Sequence, residues 1–168
     1  MKSIFKLLVA AFLTVAPLTI SAQSNVAHIN VQQLISEMPE VIAAQNELAK
    51  LEKDYTTQID NAFKEFQTKA QSYSSDAANQ TDVTNQARQK ELESMQTNLQ
   101  EFRDSAAQEL QKKQMDLMTP LLEKARNAIT KVGEEQGFNY VIDSSPNGGI
   151  ILANCKDLLA DVKKELGF

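Results

Sequence analysis

The sequence predicts a predominantly helical α+β protein in which one long antiparallel helical hairpin, a coiled coil, stands on a small β-strand association body. Three observations carry that expectation. Apolar residues recur in steps of three and four over two long stretches, the interval between them has no such rhythm, and the segments outside them are short and β-compatible.

The chain begins with Lys2 and Lys6, an apolar stretch from Leu7 to Val15, and then Ser21 and Ala22 before a polar run. This is the pattern of a secretory signal peptide over residues 1–22. Its apolar stretch is far shorter than the roughly 18 to 20 residues that a membrane-spanning helix requires. No Cys follows that stretch, so lipid attachment at this end is not indicated. Removing residues 1–22 takes away two lysines, leaving 15 basic against 22 acidic residues and a charge of about −7. An acidic chain lacks the basic stripe that neutralises phosphates, which argues against a nucleic-acid partner.

Residues 23–40 form the first part of the expected body. Val26 to Asn30 are β-compatible and stop at a helix start, with Asn30 as cap and Gln33 reaching back three residues on. A brief helix follows over about Val31 to Glu37, and Pro39 suits the first turn of the next helix, where its missing N–H costs no bond.

The hairpin is expected over residues 41–136. Its outgoing stripe runs Val41, Ala44, Leu48, Leu51, Tyr55, Ile59, Ala62, Phe66, Ala70 and Tyr73. The return stripe runs Leu92, Met95, Leu99, Phe102, Ala106 and Leu110, then Leu117, Leu121, Ala125, Ala128 and Val132. Ser74 to Asp82, rich in side chains that compete with helix, reads as the tip. At about 1.5 Å per residue the arms are on the order of 50 and 80 Å long, so the hairpin is no compact bundle. The outgoing stripe repeats every eleven residues, which predicts a straight or slightly right-handed pair. Ala, Tyr and Met at stripe positions predict light packing. Asp60 with Lys64, Glu65 with Lys69, and Glu109 with Lys113 have the spacing of ion pairs along one solvated face. Pro120 interrupts the return stripe, where a kink and hinge are expected, and Gly137 reads as a left-handed cap.

Residues 137–168 complete the body. Phe138 to Asp143 reads as a strand, Ser144 to Gly149 as a turn, Ile150 to Ala153 as a further strand, and Lys156 to Leu166 as a short amphipathic helix. About 50 residues of body make too small a core to stand alone, and its strands leave edges to cover. Self-association through the body is the economical solution, with Ile29, Val141, Ile142, Ile151 and Leu152 as its candidate residues.

Enzyme chemistry finds no signature. Five glycines form no phosphate-cradling loop, and no Gly-Lys-Ser or Gly-Lys-Thr occurs. His28 is the only histidine, without the partners that a triad or a metal site requires. Glu134 and Glu135 fall on a solvated helical surface. The single Cys155 cannot form an internal disulfide, so packing and association must hold the fold. No cofactor and no metal are expected.

The order of elements resembles the Skp/OmpH family of periplasmic outer-membrane chaperones. The resemblance rests on the leader, the strand with Ile29 and Asn30, Leu-Ile-Ser-Glu-Met-Pro at residues 34–39, the charged hairpin, and Leu121 to Val132 leading into Phe-Asn-Tyr-Val-Ile-Asp at residues 138–143. It implies a homotrimer whose strands join into one body, with three hairpins projecting as tentacles around a cavity that holds unfolded outer-membrane β-barrel proteins in the periplasm without ATP. Phe63, Phe66, Tyr73, Met95, Phe102 and Met115 are then the client-binding candidates, against the plainer role of packing one arm on the other. Well-known members are strongly basic, and their positive surface is linked to acidic lipid and lipopolysaccharide. This acidic chain argues against a lipopolysaccharide site and leaves only transient contact with a membrane surface. The alternative is a coiled-coil spacer or tether of the cell envelope that binds no client.

Overall fold

The computed structural model describes residues 25–146 and 149–168. The expected signal peptide, and Asn147 and Gly148 of the expected turn, lie outside the described residues. In order, the elements are β1 (Val26–Ile29), α1 (Val31–Glu37), α2 (Pro39–Asp76), a 3-10 turn (Ala77–Asn79), α3 (Asp82–Glu135), β2 (Tyr140–Asp143), β3 (Lys156–Asp157) and α4 (Leu159–Leu166). The predominantly helical α+β fold with one long hairpin is as expected.

The stripes become the seam between α2 and α3. Every outgoing stripe residue from Leu48 to Tyr73 is half-buried, whereas almost all residues between them are exposed. The helix starts where the sequence placed it, because Pro39 occupies the first turn. It outlasts its expected end by a few residues, since Ser75 satisfies its hydroxyl on the Gln71 carbonyl at 2.8 Å instead of breaking the helix. The reversal itself is short. Thr81 caps α3 by accepting from the Thr84 N–H at 3.2 Å.

One expectation about the hairpin is corrected. The three anticipated ion pairs along single helices do not form; Lys69 reaches across to Glu91 at 2.5 Å and Lys113 to Glu47 at 2.8 Å. A long ammonium stem can lie over the half-buried seam and still reach an acid on the other arm, a choice that spacing along one helix cannot reveal. Pro120 lies inside the continuous α3. Proline cannot donate to the carbonyl four residues back, so one hydrogen bond is missing from an otherwise regular helix.

The C-terminal end of α3 closes in a Schellman motif. Gly137 takes φ 73°, its N–H donates to Glu134 at 3.0 Å, and the Phe138 N–H donates to Gly133 at 2.9 Å. This turns the chain onto β2.

The sheet has the order β2-β1-β3 and is parallel throughout, with Val26 beside Tyr140, His28 beside Ile142 on one side, and His28 beside Asp157 on the other. The expected second C-terminal strand is therefore misplaced: Ile150 to Ala153 is not a strand, and β3 is Lys156–Asp157. An apolar run is competent to form a strand, but it needs a backbone partner. The free side of β1 is occupied only after the chain has passed Asn154 and Cys155, where Leu158 N–H donates to the His28 carbonyl at 2.9 Å. Ile151 and Leu152 are left 102% and 76% exposed.

One core holds all this together. Ala27 and Ile29 from β1, Leu34 from α1, Met38 and Val41 at the start of α2, Ala125, Ala128 and Val132 from α3, and Leu158 and Val162 beside and on α4 form a single buried cluster. Beside this cluster lies Gly133, where an added Cβ would meet Cγ2 of Val141 at 2.9 Å. Because a β-branched side chain packed under β2 cannot swing away, Gly133→Leu is expected to lower stability by about 1 to 3 kcal/mol. Gly137→Ala meets no atom within 4 Å and should cost only its left-handed strain, about 1 kcal/mol. Urea unfolding at one fixed protein concentration checks both; equal effects would show that packing at Gly133 is not tight.

Candidate functional site

Two surfaces qualify: the seam and flanks of the hairpin, and the outward face of the sheet. Beyond its root the hairpin is held with little burial. Leu99 and Ala106 are the buried residues described between Leu48 and Lys124, and polar contacts set the register. From root to tip these are Glu40 with Lys124 at 2.6 Å, Glu47 with Lys113, Tyr55 donating to Glu109, Lys69 and Tyr73 converging on Glu91, and Asp76 with Arg88 at 3.1 Å. Their partners appear in reverse order along the two arms, as an antiparallel pair requires. Surface pairs of this kind contribute little each, roughly 0 to 1 kcal/mol, so they align the arms more than they clamp them.

The six client-binding candidates divide between seam and flank. Phe66, Tyr73, Met95 and Phe102 are half-buried. Phe102 meets Tyr55 edge to face, with centroids 6.0 Å apart. Tyr73 donates to Glu91 at 2.6 Å and carries the Arg88 guanidinium over its ring at 4.7 Å. Phe63 and Met115 instead point outward, 39% and 54% exposed. Phe63 is one step off the stripe, stacked on Phe66 at 6.5 Å. Two further outward apolar residues, Ile42 and Leu122, escaped the sequence reading. They also lie one step off the seam, and the same wheel that fixed the stripe would have found them.

The charges at the upper hairpin are coupled to its closure. The Lys69 ammonium, and after it the Tyr73 hydroxyl, hold the Glu91 carboxylate below its usual range, while that same contact pushes the Tyr73 phenol up. Arg88 does the same to Asp76, helped by the Asn79 and Gln80 amides.

At the sheet, period-two alternation sorts the candidates of the association body. Ile29 is buried in the core and Val141 points inward toward Gly133, whereas Ile142 is 40% exposed on the outer face. Register places Val26, His28 and Tyr140 on that outer face with Ile142, and Tyr140 is 63% exposed. His28 Nδ1 lies 3.0 Å from the Ser144 hydroxyl. Behind this face a polar knot ties β2 to α1. Ser145, the buried polar side chain of the described residues, accepts from the Gln32 N–H at 3.0 Å and donates to Asp143 at 2.6 Å. Burial pushes the Asp143 carboxyl up, but the Ser145 hydroxyl and N–H and the Val31 N–H outweigh it and hold the carboxyl below its usual value.

Comparison with known proteins gives a consistent result. A family model described as outer membrane protein (OmpH-like) matches residues 25–166. The chain is 28% identical over 148 residues to the chaperone protein Skp of Yersinia enterocolitica, covering 85% of this chain and 86% of that one. It is 20% identical over 151 residues to the chaperone protein Skp of Pectobacterium atrosepticum, covering 90% of each. A solved OmpH-like outer membrane chaperone from Caulobacter crescentus shares the fold, with a TM-score of 0.76 at 12% identity over 86% of this chain and 85% of that one.

Because Glu91 and Asp76 are held below their ordinary values, their contribution to closure is fully present above the usual carboxylate range and is lost as pH falls through the lowered values. Spin labels at residues 71 and 90, in a Cys155→Ser background, should give a narrow distance distribution at pH 7 that broadens toward pH 3. Glu91→Gln should be broadened already at pH 7. A distribution that ignores both changes would show that these ion pairs do not hold the upper arms.

Proposed function

Since the chain belongs to the family of OmpH-like outer membrane proteins, we propose that it is a holdase chaperone that takes unfolded outer-membrane β-barrel proteins between helical arms in the periplasm. A chaperone role is supported by the names of both relatives. The observation that carries the finer reading is the thinness of the hairpin seam, in which only Leu99 and Ala106 are buried beyond the root.

An unfolded barrel protein exposes strands that alternate apolar and polar residues, and it aggregates in water. To hold such a chain without selecting one sequence, a surface needs many weak contacts that adjust. Arms aligned by exposed ion pairs and half-buried Phe66, Tyr73, Met95 and Phe102 can part locally at small cost and offer these side chains to a client. Phe63 and Met115 need no opening. The bond missing at Pro120 makes it the hinge about which an arm bends. Nothing in this mechanism consumes ATP or calls for a cofactor or metal.

Self-association supplies the other wall of the cavity. The outer sheet face with Tyr140 and Ile142, together with exposed Ile151 and Leu152, is apolar surface left uncovered by this chain. A homotrimer formed through residues 23–40 and 137–168 buries it and sets three hairpins of residues 41–136 side by side. The acidic charge keeps membrane contact transient and gives lipopolysaccharide no basic site.

Light scattering coupled to size exclusion, on the protein alone and with a urea-diluted outer-membrane barrel protein, tests the reading. A trimer that carries the client in one soluble complex is the expected result. A trimer that leaves the client to precipitate would favour an envelope spacer, and a stable monomer would reject the association body. Ile142→Asp combined with Ile151→Asp should dissociate the trimer, since three carboxylates would enter an apolar seam at each position. Persistence of the trimer by sedimentation would place the interface elsewhere.

A further inference from the structure

We infer that the flank of the hairpin beside Phe63 is a subsite that takes aromatic side chains of the client in preference to aliphatic ones; this rests on the holdase reading and specifies its chemistry. A groove of about 590 Å³ opens there, with Phe63, Phe66 and Leu99 as its apolar wall and Gln96, Thr97, Arg103 and one acid, Glu93, in its polar lining; Glu93 makes no ion pair with Arg103.

Phe63 is not a seam residue. It lies off the seam stripe, is 39% exposed, and stacks on Phe66 with planes 22° apart. The Arg103 guanidinium lies 6.0 Å from the centre of the Phe63 ring. Among the described residues no acid pairs with Arg103. An unpaired cation beside a stacked ring pair is complementary to one kind of guest. The negative face of an incoming ring answers the guanidinium, and its edge or offset face answers Phe63. An aliphatic side chain fills the same space with neither interaction. The neighbouring Gln96 amide and Arg103 N–H groups can bond the backbone of an extended segment, whose own hydrogen bonds are unmade while it is unfolded. Outer-membrane strands carry aromatic residues in girdles at both membrane interfaces, so such a subsite would engage a client at defined places along each strand while the rest of the cavity stays indifferent.

Two twelve-residue peptides of alternating polar and apolar residues, identical except for Trp or Leu at the central apolar position, provide the test. The chain has no Trp, so the emission of the Trp peptide reports its binding directly, and the Leu peptide is measured by displacement. The ratio of the two affinities is expected near tenfold, falling toward one in both Phe63→Ala and Arg103→Gln. Arg103→Gln leaves the ring pair in place, so it keeps the test sound if Phe63→Ala disturbs the arm. A ratio of one in the unaltered protein, or a tenfold ratio that survives both substitutions, overturns the subsite. Holding of an unfolded barrel protein, measured alongside, separates the two ideas: retained holding with a ratio of one rejects the groove alone, and loss of holding with no peptide binding rejects both.

Discussion

Everything above the root of the hairpin hangs on the packing of Leu34, Met38 and Val41 against Ala125, Ala128 and Val132. Here the alanines of α3 let two helices approach closely, and β1 and α4 close the cluster from either side. Truncating one of its large side chains would cost on the order of 2 to 5 kcal/mol, several times what any single ion pair along the arms contributes. Order in this molecule is therefore concentrated at one end. The arms inherit their direction from the root and their register from charges, and they gain little stability from burial of their own.

That distribution leaves the surface of the hairpin adaptable. Side chains at the seam are neither locked in a core nor fully exposed. The aromatic contacts of Tyr55 with Phe102 and of Phe63 with Phe66 are spaced along the hairpin instead of gathered. The polar knot of Ser145, Asp143 and the start of α1 works in the opposite sense, fixing the sheet to the root.

The sequence displayed what depends on local period and hid what depends on distant partners. The stripe from Val41 to Tyr73, the cap at Asn30, the first-turn Pro39 and the left-handed Gly137 were legible because each is a relation among neighbours along the chain. Lys69 and Lys113 have the spacing to pair with acids on their own helices, and the cross-arm acids they reach are invisible to spacing. Ile150 to Ala153 looked like a strand because composition records competence and not whether a backbone partner is free. The place of Phe63 one step off the stripe is legible on the helical wheel, but the Arg103 guanidinium beside it comes from the opposite arm, which spacing does not show. Ile29 and Val141 belong to the strands as expected, yet the pleat turns them inward, and their outward neighbours Val26, His28 and Tyr140 emerged only with the register.

The central strand of the sheet comes from the first described residues, while both of its neighbours come from the far side of the hairpin: Val26 lies beside Tyr140 and His28 beside Asp157. A chain delivered N-terminus first cannot complete this sheet until nearly its last residue has arrived. The arms, whose contacts fold back from a local reversal, can zip earlier from the tip downward. During delivery β1 is an unpaired edge. The chain thus carries an exposed strand of its own until the return of β2 and β3 covers it.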